Sequence, residues 1–98
     1  MGAKLVVEYI RVDWIHELED EPVTYLSEIG EGRYEIRKVQ IFRDGRTEWA
    51  DAEHETATVG LSEIPFLSLE EIDSQSEFVS SLISAEDFEQ AWIRARES

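Results

Sequence analysis

Apolar and polar residues alternate along the N-terminal half of the chain, which is the pattern of half-buried β-strands. In the first stretch Ile10, Val12 and Trp14 alternate with Arg11 and Asp13. Three further stretches follow, and polar turns containing proline or glycine separate them. The four predicted strands cover residues 5–16, 23–29, 33–43 and 46–52.

The dipeptide Asp44-Gly45 between the third and fourth strands indicates a tight hairpin. A two-residue loop would place Trp49 opposite Gln40, which sets an apolar residue against a polar one. A three-residue loop with Gly45 in the left-handed conformation places Val39 opposite Trp49 instead. The same register pairs Ile41 with Thr47 and Arg37 with Asp51. We therefore predict the three-residue loop.

The third strand contains a conflict in its alternation. Tyr34 and Ile36 fall on one face of the strand, whereas Val39 and Ile41 fall on the other. A β-bulge near Arg37-Lys38 would reconcile the two halves of the strand. The alternative is a sheet that is apolar in part on both faces.

The C-terminal half predicts helices. Ser68 and Glu71 match a capping box for a short helix over 69–72, and the segment 76–83 fits either a short helix or irregular structure. Ser84 can cap a final helix that has apolar residues on one face. Those apolar residues are Phe88, Ala91, Trp92 and Ala95. We predict an α+β fold: a four-stranded antiparallel meander, with the C-terminal helix and the short preceding helix packed on one face.

The three tryptophans, Trp14, Trp49 and Trp92, fall on the first strand, the fourth strand and the last helix. Aromatic rings bury more area than other side chains, which favours an interpretation as core anchors over a ligand-binding cage.

Composition adds limits on size and compartment. The chain has 98 residues, which predicts a single domain over 1–98, and 42% of them are hydrophobic. It contains no cysteine, which excludes disulfides and thiolate zinc sites and fits a reducing cytosol. Its longest apolar runs are far shorter than a membrane span, and no signal sequence is evident. We predict a cytoplasmic protein.

The charge is strongly negative. The chain has 23 acidic and 9 basic residues and a net charge of −14. Residues 1–50 contain 11 acidic and 7 basic side chains, whereas residues 51–98 contain 12 and 2. Such a field repels nucleic acids and anionic membranes and attracts basic proteins. The predicted partner-binding residues lie in two acidic segments: Glu17, Glu19, Asp20, Glu21, Asp51, Glu53 and Glu55.

The sequence offers no catalytic or metal-binding motif. His16 precedes an acidic turn that lacks the calcium-loop spacing, and His54 lies in a polar loop. Gly60-Leu61-Ser62 begins like a nucleophile elbow but lacks the second glycine. We predict no catalytic residue, no metal ligand and no cofactor. Most basic residues lie on or beside the strands, where cross-strand ion pairing is the simpler interpretation.

Four segments resemble a family of small, functionally uncharacterised bacterial domains. They are YIRVDWIH at 9–16, EPV at 21–23, RKVQIFRDGR at 37–46 and GLSEIP at 60–65. The resemblance covers about residues 9–92 and implies a stand-alone bacterial cytosolic domain. It implies no activity and no site residues.

Together these observations favour a non-enzymatic module that binds a basic protein, in the manner of bacterial immunity proteins and inhibitors. One alternative is a DNA mimic that occupies a nucleic-acid enzyme, which requires carboxylates over one continuous surface. Another is a small enzyme or ligand-binding domain that uses Arg37, His16 and a carboxylate in a cleft. The sequence does not define the oligomeric state.

Overall fold

A computed structural model describes residues 7–55 and 59–97. Across these residues the chain forms one antiparallel sheet of five strands and two α-helices. The strands are β1 (Glu8–Trp14), β2 (Pro22–Ile29), β3 (Glu35–Phe42), β4 (Thr47–Ala50) and β5 (Phe78–Leu82), and the helices are α1 (Leu69–Asp73) and α2 (Ala85–Glu97). The predicted start of the first strand at 5–6 and part of the predicted polar loop, 56–58, lie outside the described residues.

The prediction of four strands is wrong, because β5 completes the sheet in the order β4-β3-β2-β1-β5. It pairs antiparallel with β1, with Val12 opposite Ser80 and Trp14 opposite Phe78. The segment had fitted either a helix or irregular structure, since its sequence has no apolar alternation. Val79 is 52% exposed, so this edge strand is held by backbone pairing with β1 more than by a buried face of its own.

The hairpin between β3 and β4 has the predicted register. Val39 lies opposite Trp49 and Ile41 opposite Thr47. Gly45 has a φ of 91°, the left-handed conformation that the three-residue loop requires. The predicted pairing of Arg37 with Asp51 is wrong, because the ladder ends with Lys38 opposite Ala50 and Asp51 forms an isolated bridge with His54.

Both interpretations of the conflict in β3 are correct in part. Glu28 pairs with Arg37 and Ile29 pairs with Glu35, which leaves Ile36 as the extra residue of a bulge one position before the predicted site. The bulge does not bury the apolar residues, because Tyr34 is 48% and Ile36 43% exposed. The bulge turns the carboxylate of Glu35 towards the interior of the fold, where the side chain is 1% exposed.

The sheet is covered on both faces. Leu26 and Val39 pack against Phe88 and Trp92 of α2, and we call this side the α2 face. The opposite side, the α1 face, is covered by α1 and the segment before it. There Ile10, Val12 and Ile29 pack against Ile72 of α1.

The prediction that both helices lie on one face is therefore wrong. Tyr9 contacts the α2 cluster while its neighbour Ile10 belongs to the α1 cluster, because successive strand residues point to opposite faces.

The ends of both helices are capped as predicted. The Ser84 hydroxyl accepts a hydrogen bond of 3.0 Å from the Asp87 amide, and Ser68 and Glu71 form the complete capping box. The predicted apolar stripe of α2 faces the sheet, with Phe88, Trp92 and Ala95 buried.

The three tryptophans pack against neighbouring rings. Trp49 contacts Trp92 edge-on at a ring-centre distance of 5.2 Å. Trp14 lies at the other end of the sheet and stacks on Phe78 at 6.2 Å. No described helix is long and apolar enough to cross a membrane.

Candidate functional site

The acidic turn between β1 and β2 is held in place by His16. The Nδ1 atom of His16 accepts a hydrogen bond of 2.9 Å from the Leu18 amide, so Nε2 carries the proton and donates to the Pro22 carbonyl at 2.8 Å. Arg43 donates to the His16 carbonyl at 2.6 Å. These bonds fix both ends of the turn and give His16 a structural role.

Two carboxylates of this turn, Asp20 and Glu21, border a pocket of about 310 Å³ on the α1 face. Glu48 of β4 contributes a third carboxylate, and Gln40, its cross-strand partner on β3, also lines the pocket. Phe42, Arg46 and Pro22 complete the lining. We call this the acidic pocket.

Gln40 is the unusual member of this lining. The residue belongs to β3 and is only 7% exposed. Its Oε1 atom is buried and has no hydrogen-bond partner among the described residues. An unpaired buried acceptor costs about 1–3 kcal/mol, so this oxygen is a candidate to accept a hydrogen bond from an N–H or O–H group, of water or of a partner, that enters the pocket.

Arg46, the basic residue of this lining, is not in an ion pair with the carboxylates of the turn. The Arg46 guanidinium lies 4.3 Å from the centre of the Phe42 ring, and it forms a long ion pair with Asp44 at 4.0 Å. Among the described residues, no ion pair involves Asp20 or Glu21. The rim of the pocket therefore has two carboxylates, Asp20 and Glu21, that are not in an ion pair with any described residue.

The predicted acidic residues separate into two groups. Glu17 and Glu19 are exposed in the same turn as the pocket carboxylates. Asp51, Glu53 and Glu55 follow β4, whose last residue, Ala50, pairs with Lys38 of β3. The turn before β2 lies towards the other end of β4, because its Pro22 pairs with Phe42 of β3. The seven residues thus lie at opposite ends of the sheet and do not form one surface.

The second group has a local structural role. The Asp51 Oδ1 atom accepts a hydrogen bond of 2.9 Å from the Glu53 amide, which closes the turn after β4. His54, expected as an exposed loop residue, is partly buried and stacks on Trp49 at 3.7 Å between ring centres. Within the part of the chain that the structure describes, no group of three or more histidines and carboxylates is placed to hold a metal ion.

Gln40 and Glu48 were not predicted as site residues. The three-residue hairpin places them opposite each other, and that register could have been read as a polar pair on the face away from Val39. Nothing in the sequence shows, however, that the turn before Pro22 closes over this pair. The sequence does not show this contact because it joins segments that are distant along the chain.

Arg37 lies on the other side of the sheet, beneath α2. It donates to Glu28 with bonds of 2.6 Å and 3.0 Å and also pairs with Glu89 of α2. Its guanidinium lies 4.9 Å from the centre of the Phe88 ring and 5.0 Å from that of Trp92. This arrangement fastens the helix to the sheet.

These contacts also shift the pKa values of the residues that make them. The hydrogen bond to Glu28 is the main cause that raises the pKa of Arg37, and the hydrogen bond from Arg37 lowers the pKa of Glu89. Burial, followed by the Glu28 carboxylate, raises the pKa of Tyr9. Arg37 is thus committed to the helix interface, and His16 lies beyond the end of β1, so the two do not share a cleft.

The fold and the acidic pocket define a small α+β domain whose antiparallel sheet is covered on both faces and carries an acidic recess at one end. The chain belongs to the family described as Domain of unknown function (DUF6881), whose model matches residues 8–97. The expected membership of a family without a known function is thereby confirmed. No curated protein and no solved structure matches the chain.

Proposed function

We propose that this domain is a non-enzymatic binding module that recognises a basic protein through the acidic pocket. The observation that carries the proposal is the meeting of Asp20, Glu21 and Glu48 around a recess that Gln40 also lines, with its Oε1 atom unpaired among the described residues. A lysine or arginine side chain supplies a positive charge and N–H donors for the carboxylates of Asp20 and Glu21, which are not in an ion pair within the described part of the chain.

The overall charge supports the same partner class. A net charge of −14 attracts a basic surface over several ångströms of solvent and speeds association at low salt. Inhibitors and immunity-type proteins of the bacterial cytoplasm use this mode, in which an acidic protein covers a basic active site. We assign this inhibitor-like role to the present domain, with Glu17 and Glu19 at the rim of the contact.

The two alternatives have less support. A DNA mimic needs carboxylates over one continuous surface, and the seven predicted acidic residues lie at opposite ends of the sheet. A cleft enzyme built from Arg37 and His16 needs the two side chains together, whereas Arg37 bonds to Glu28 and Glu89 and His16 bonds to Pro22.

The test is affinity capture from the native host with two matched variants. Asp20→Asn/Glu21→Gln removes two exposed charges from the acidic pocket, and Glu53→Gln/Glu55→Gln removes two from the far end of the sheet. We expect the wild type and the second variant to retain the same basic protein, and the first variant to lose it. Raising the salt to about 0.5 M should release the partner, since rim charges are screened within a few ångströms at that ionic strength.

Recovery of no reproducible basic partner would contradict the proposal. Equal loss of the partner in both variants would also contradict it, because binding would then depend on total charge and not on the acidic pocket.

A further inference from the structure

A second cavity, of about 340 Å³, lies on the α1 face between the sheet and the segment that leads into α1. Val12 and Phe78 of the sheet, Ile72 of α1, and Ile64 and Phe66 of the covering segment give it apolar walls. Its volume is at the lower end of the range for small-molecule sites, about 300–1,000 Å³. We call it the apolar cavity.

A buried charged cluster forms the polar part of this cavity. One oxygen of Glu35 accepts from the Ser27 hydroxyl at 2.8 Å, and the other accepts from the Ser62 amide at 2.8 Å and forms an ion pair with Lys38 at 3.2 Å. Lys38 also donates to the Gly60 carbonyl at 3.0 Å. The Glu35 side chain is 1% exposed and that of Lys38 is 16% exposed, so both charges lie inside the fold.

The bulge in β3 creates this cluster. In an unbroken strand Glu35 would share a face with Arg37 and point towards α2, because alternate residues point the same way. The extra residue Ile36 shifts the alternation by one and places Glu35 on the face of Lys38. Bulges occur frequently beside binding sites because they redirect one side chain in this manner.

The chemistry of the cluster defines what the cavity can accept. The charges of Glu35 and Lys38 cancel, so neither an anion nor a cation gains a net partner there. Glu35 already accepts two hydrogen bonds and forms an ion pair with Lys38, which together use most of the roughly four acceptor positions of a carboxylate. Lys38 has three N–H donors and, among the described residues, donates one hydrogen bond, to the Gly60 carbonyl. Besides its ion pair with Glu35, it thus retains N–H groups for an acceptor atom.

From these features we propose that the apolar cavity binds a small neutral molecule with an aromatic or aliphatic body and a carbonyl-type acceptor that bonds to Lys38. The net charge of −14 further disfavours small anions. This site is separate from the acidic pocket, and the proposal does not depend on a protein partner.

The experiment compares three probes of similar shape by two-dimensional amide NMR. Acetophenone has the apolar body and a carbonyl, ethylbenzene has the body alone, and benzoate adds a negative charge. We expect acetophenone to give saturable shifts at residues that line the apolar cavity. Ethylbenzene should bind about fivefold more weakly, the change that one ordinary hydrogen bond confers, and benzoate should bind more weakly than acetophenone.

Two variants locate the binding. Lys38→Met removes the donor, so acetophenone should then bind no better than ethylbenzene. Because that change also leaves Glu35 without its cation and can unfold the domain, a second variant is needed. Ile64→Trp enlarges a lining residue that is 68% exposed, so it narrows the cavity without touching the core and should weaken acetophenone binding at least tenfold.

Equal affinity for acetophenone and ethylbenzene would overturn the assignment of Lys38, and unchanged binding to Ile64→Trp would overturn the location. Absence of shifts with all three probes would overturn the proposal and leave the cavity to a side chain of a protein partner. Asp20→Asn/Glu21→Gln, the variant that should lose the protein partner, should bind acetophenone like the wild type. The two proposals can therefore fail independently of each other.

Discussion

The Arg37 guanidinium binds the Glu28 carboxylate in a two-point arrangement, through Nε at 2.6 Å and Nη2 at 3.0 Å, between β2, β3 and α2. The Glu28 side chain is 11% exposed and that of Arg37 20%. A two-point pair removed from water in this way is geometrically specific, and each partner depends on the other to offset its loss of solvation. The pair therefore fixes the Arg37 guanidinium beneath α2, where it contacts Glu89, Phe88 and Trp92.

Replacing Arg37 by Met should lower the free energy of unfolding by about 3–5 kcal/mol, because Glu28 would be left buried without its cation. Urea unfolding followed by tryptophan fluorescence measures the loss. Arg11→Met is the matched control: it breaks the exposed ion pair with Asp13, and exposed pairs contribute about 0–1 kcal/mol. Adding Glu28→Gln to Arg37→Met should recover part of the stability. If Arg37→Met lowers the free energy of unfolding no more than Arg11→Met does, the contacts of Arg37 contribute no more to stability than an exposed ion pair.

The second carboxylate on Arg37 gives a pH-dependent contribution. The hydrogen bond from Arg37 lowers the pKa of Glu89 below its ordinary value of 4.5. A lowered pKa means that Glu89 stabilises the fold above pH 4.5, and that this contribution is lost as the pH falls through the lowered value. The Glu89 side chain is 45% exposed, so the contribution is that of a partly exposed pair, at most about 1 kcal/mol.

Glu89→Gln should therefore be less stable than the wild type at pH 7, and the difference should decline below pH 4.5 and vanish once the pH is below the lowered pKa of Glu89. Urea unfolding at several pH values measures it, with Glu63→Gln in an exposed loop as the control for loss of one charge. A difference that persists unchanged at low pH would show that Glu89 acts by packing and not through its charge.

The strongest periodic patterns in the sequence predicted the structure well. The apolar stripe of α2 and the register of Val39 with Trp49 each follow from a repeat that fits one arrangement and conflicts with its neighbours. Such patterns are local, so the sequence contains all the information needed to read them.

The features that could not be predicted depend on contacts between distant segments. The pairing of β5 with β1 joins residues some 70 positions apart in the chain, and no side-chain pattern in Phe78–Leu82 marks it as a strand. The side of the sheet covered by α1 depends on that pairing, since the chain enters β5 directly after α1. The bulge was expected, but its effect on Glu35 was not, because a glutamate in a strand normally faces solvent.

The acidic pocket and the apolar cavity are neighbours on the α1 face. Tyr25, which lines the apolar cavity, is the cross-strand partner of Gln40, which lines the acidic pocket. Burial, followed by the Glu21 carboxylate, raises the pKa of Tyr25 above its ordinary value of 10.0. The charge of the acidic pocket thus reaches a residue of the apolar cavity.

Glu21→Gln should lower the pKa of Tyr25, yet leave it above 10.0, because burial is the larger cause and remains. NMR titration of the tyrosine ring carbon next to the hydroxyl separates the three tyrosines. Tyr9 is the internal control: its pKa is raised by burial and by Glu28, so the substitution should leave it unchanged. A pKa of Tyr25 that does not move would show that the two sites are electrostatically independent.

The loop between β3 and β4 allows a test of backbone conformation alone. Gly45 has a φ of 91°, and a Cβ atom added there would meet nothing within 4 Å. Gly45→Ala should therefore destabilise the domain by about 1–2 kcal/mol through the left-handed conformation itself, with no steric clash. Gly45→Asn should cost less, because asparagine adopts this conformation more readily than alanine. Urea unfolding ranks the three proteins, and equal losses for alanine and asparagine would mean that the loop changes its conformation when the glycine is replaced.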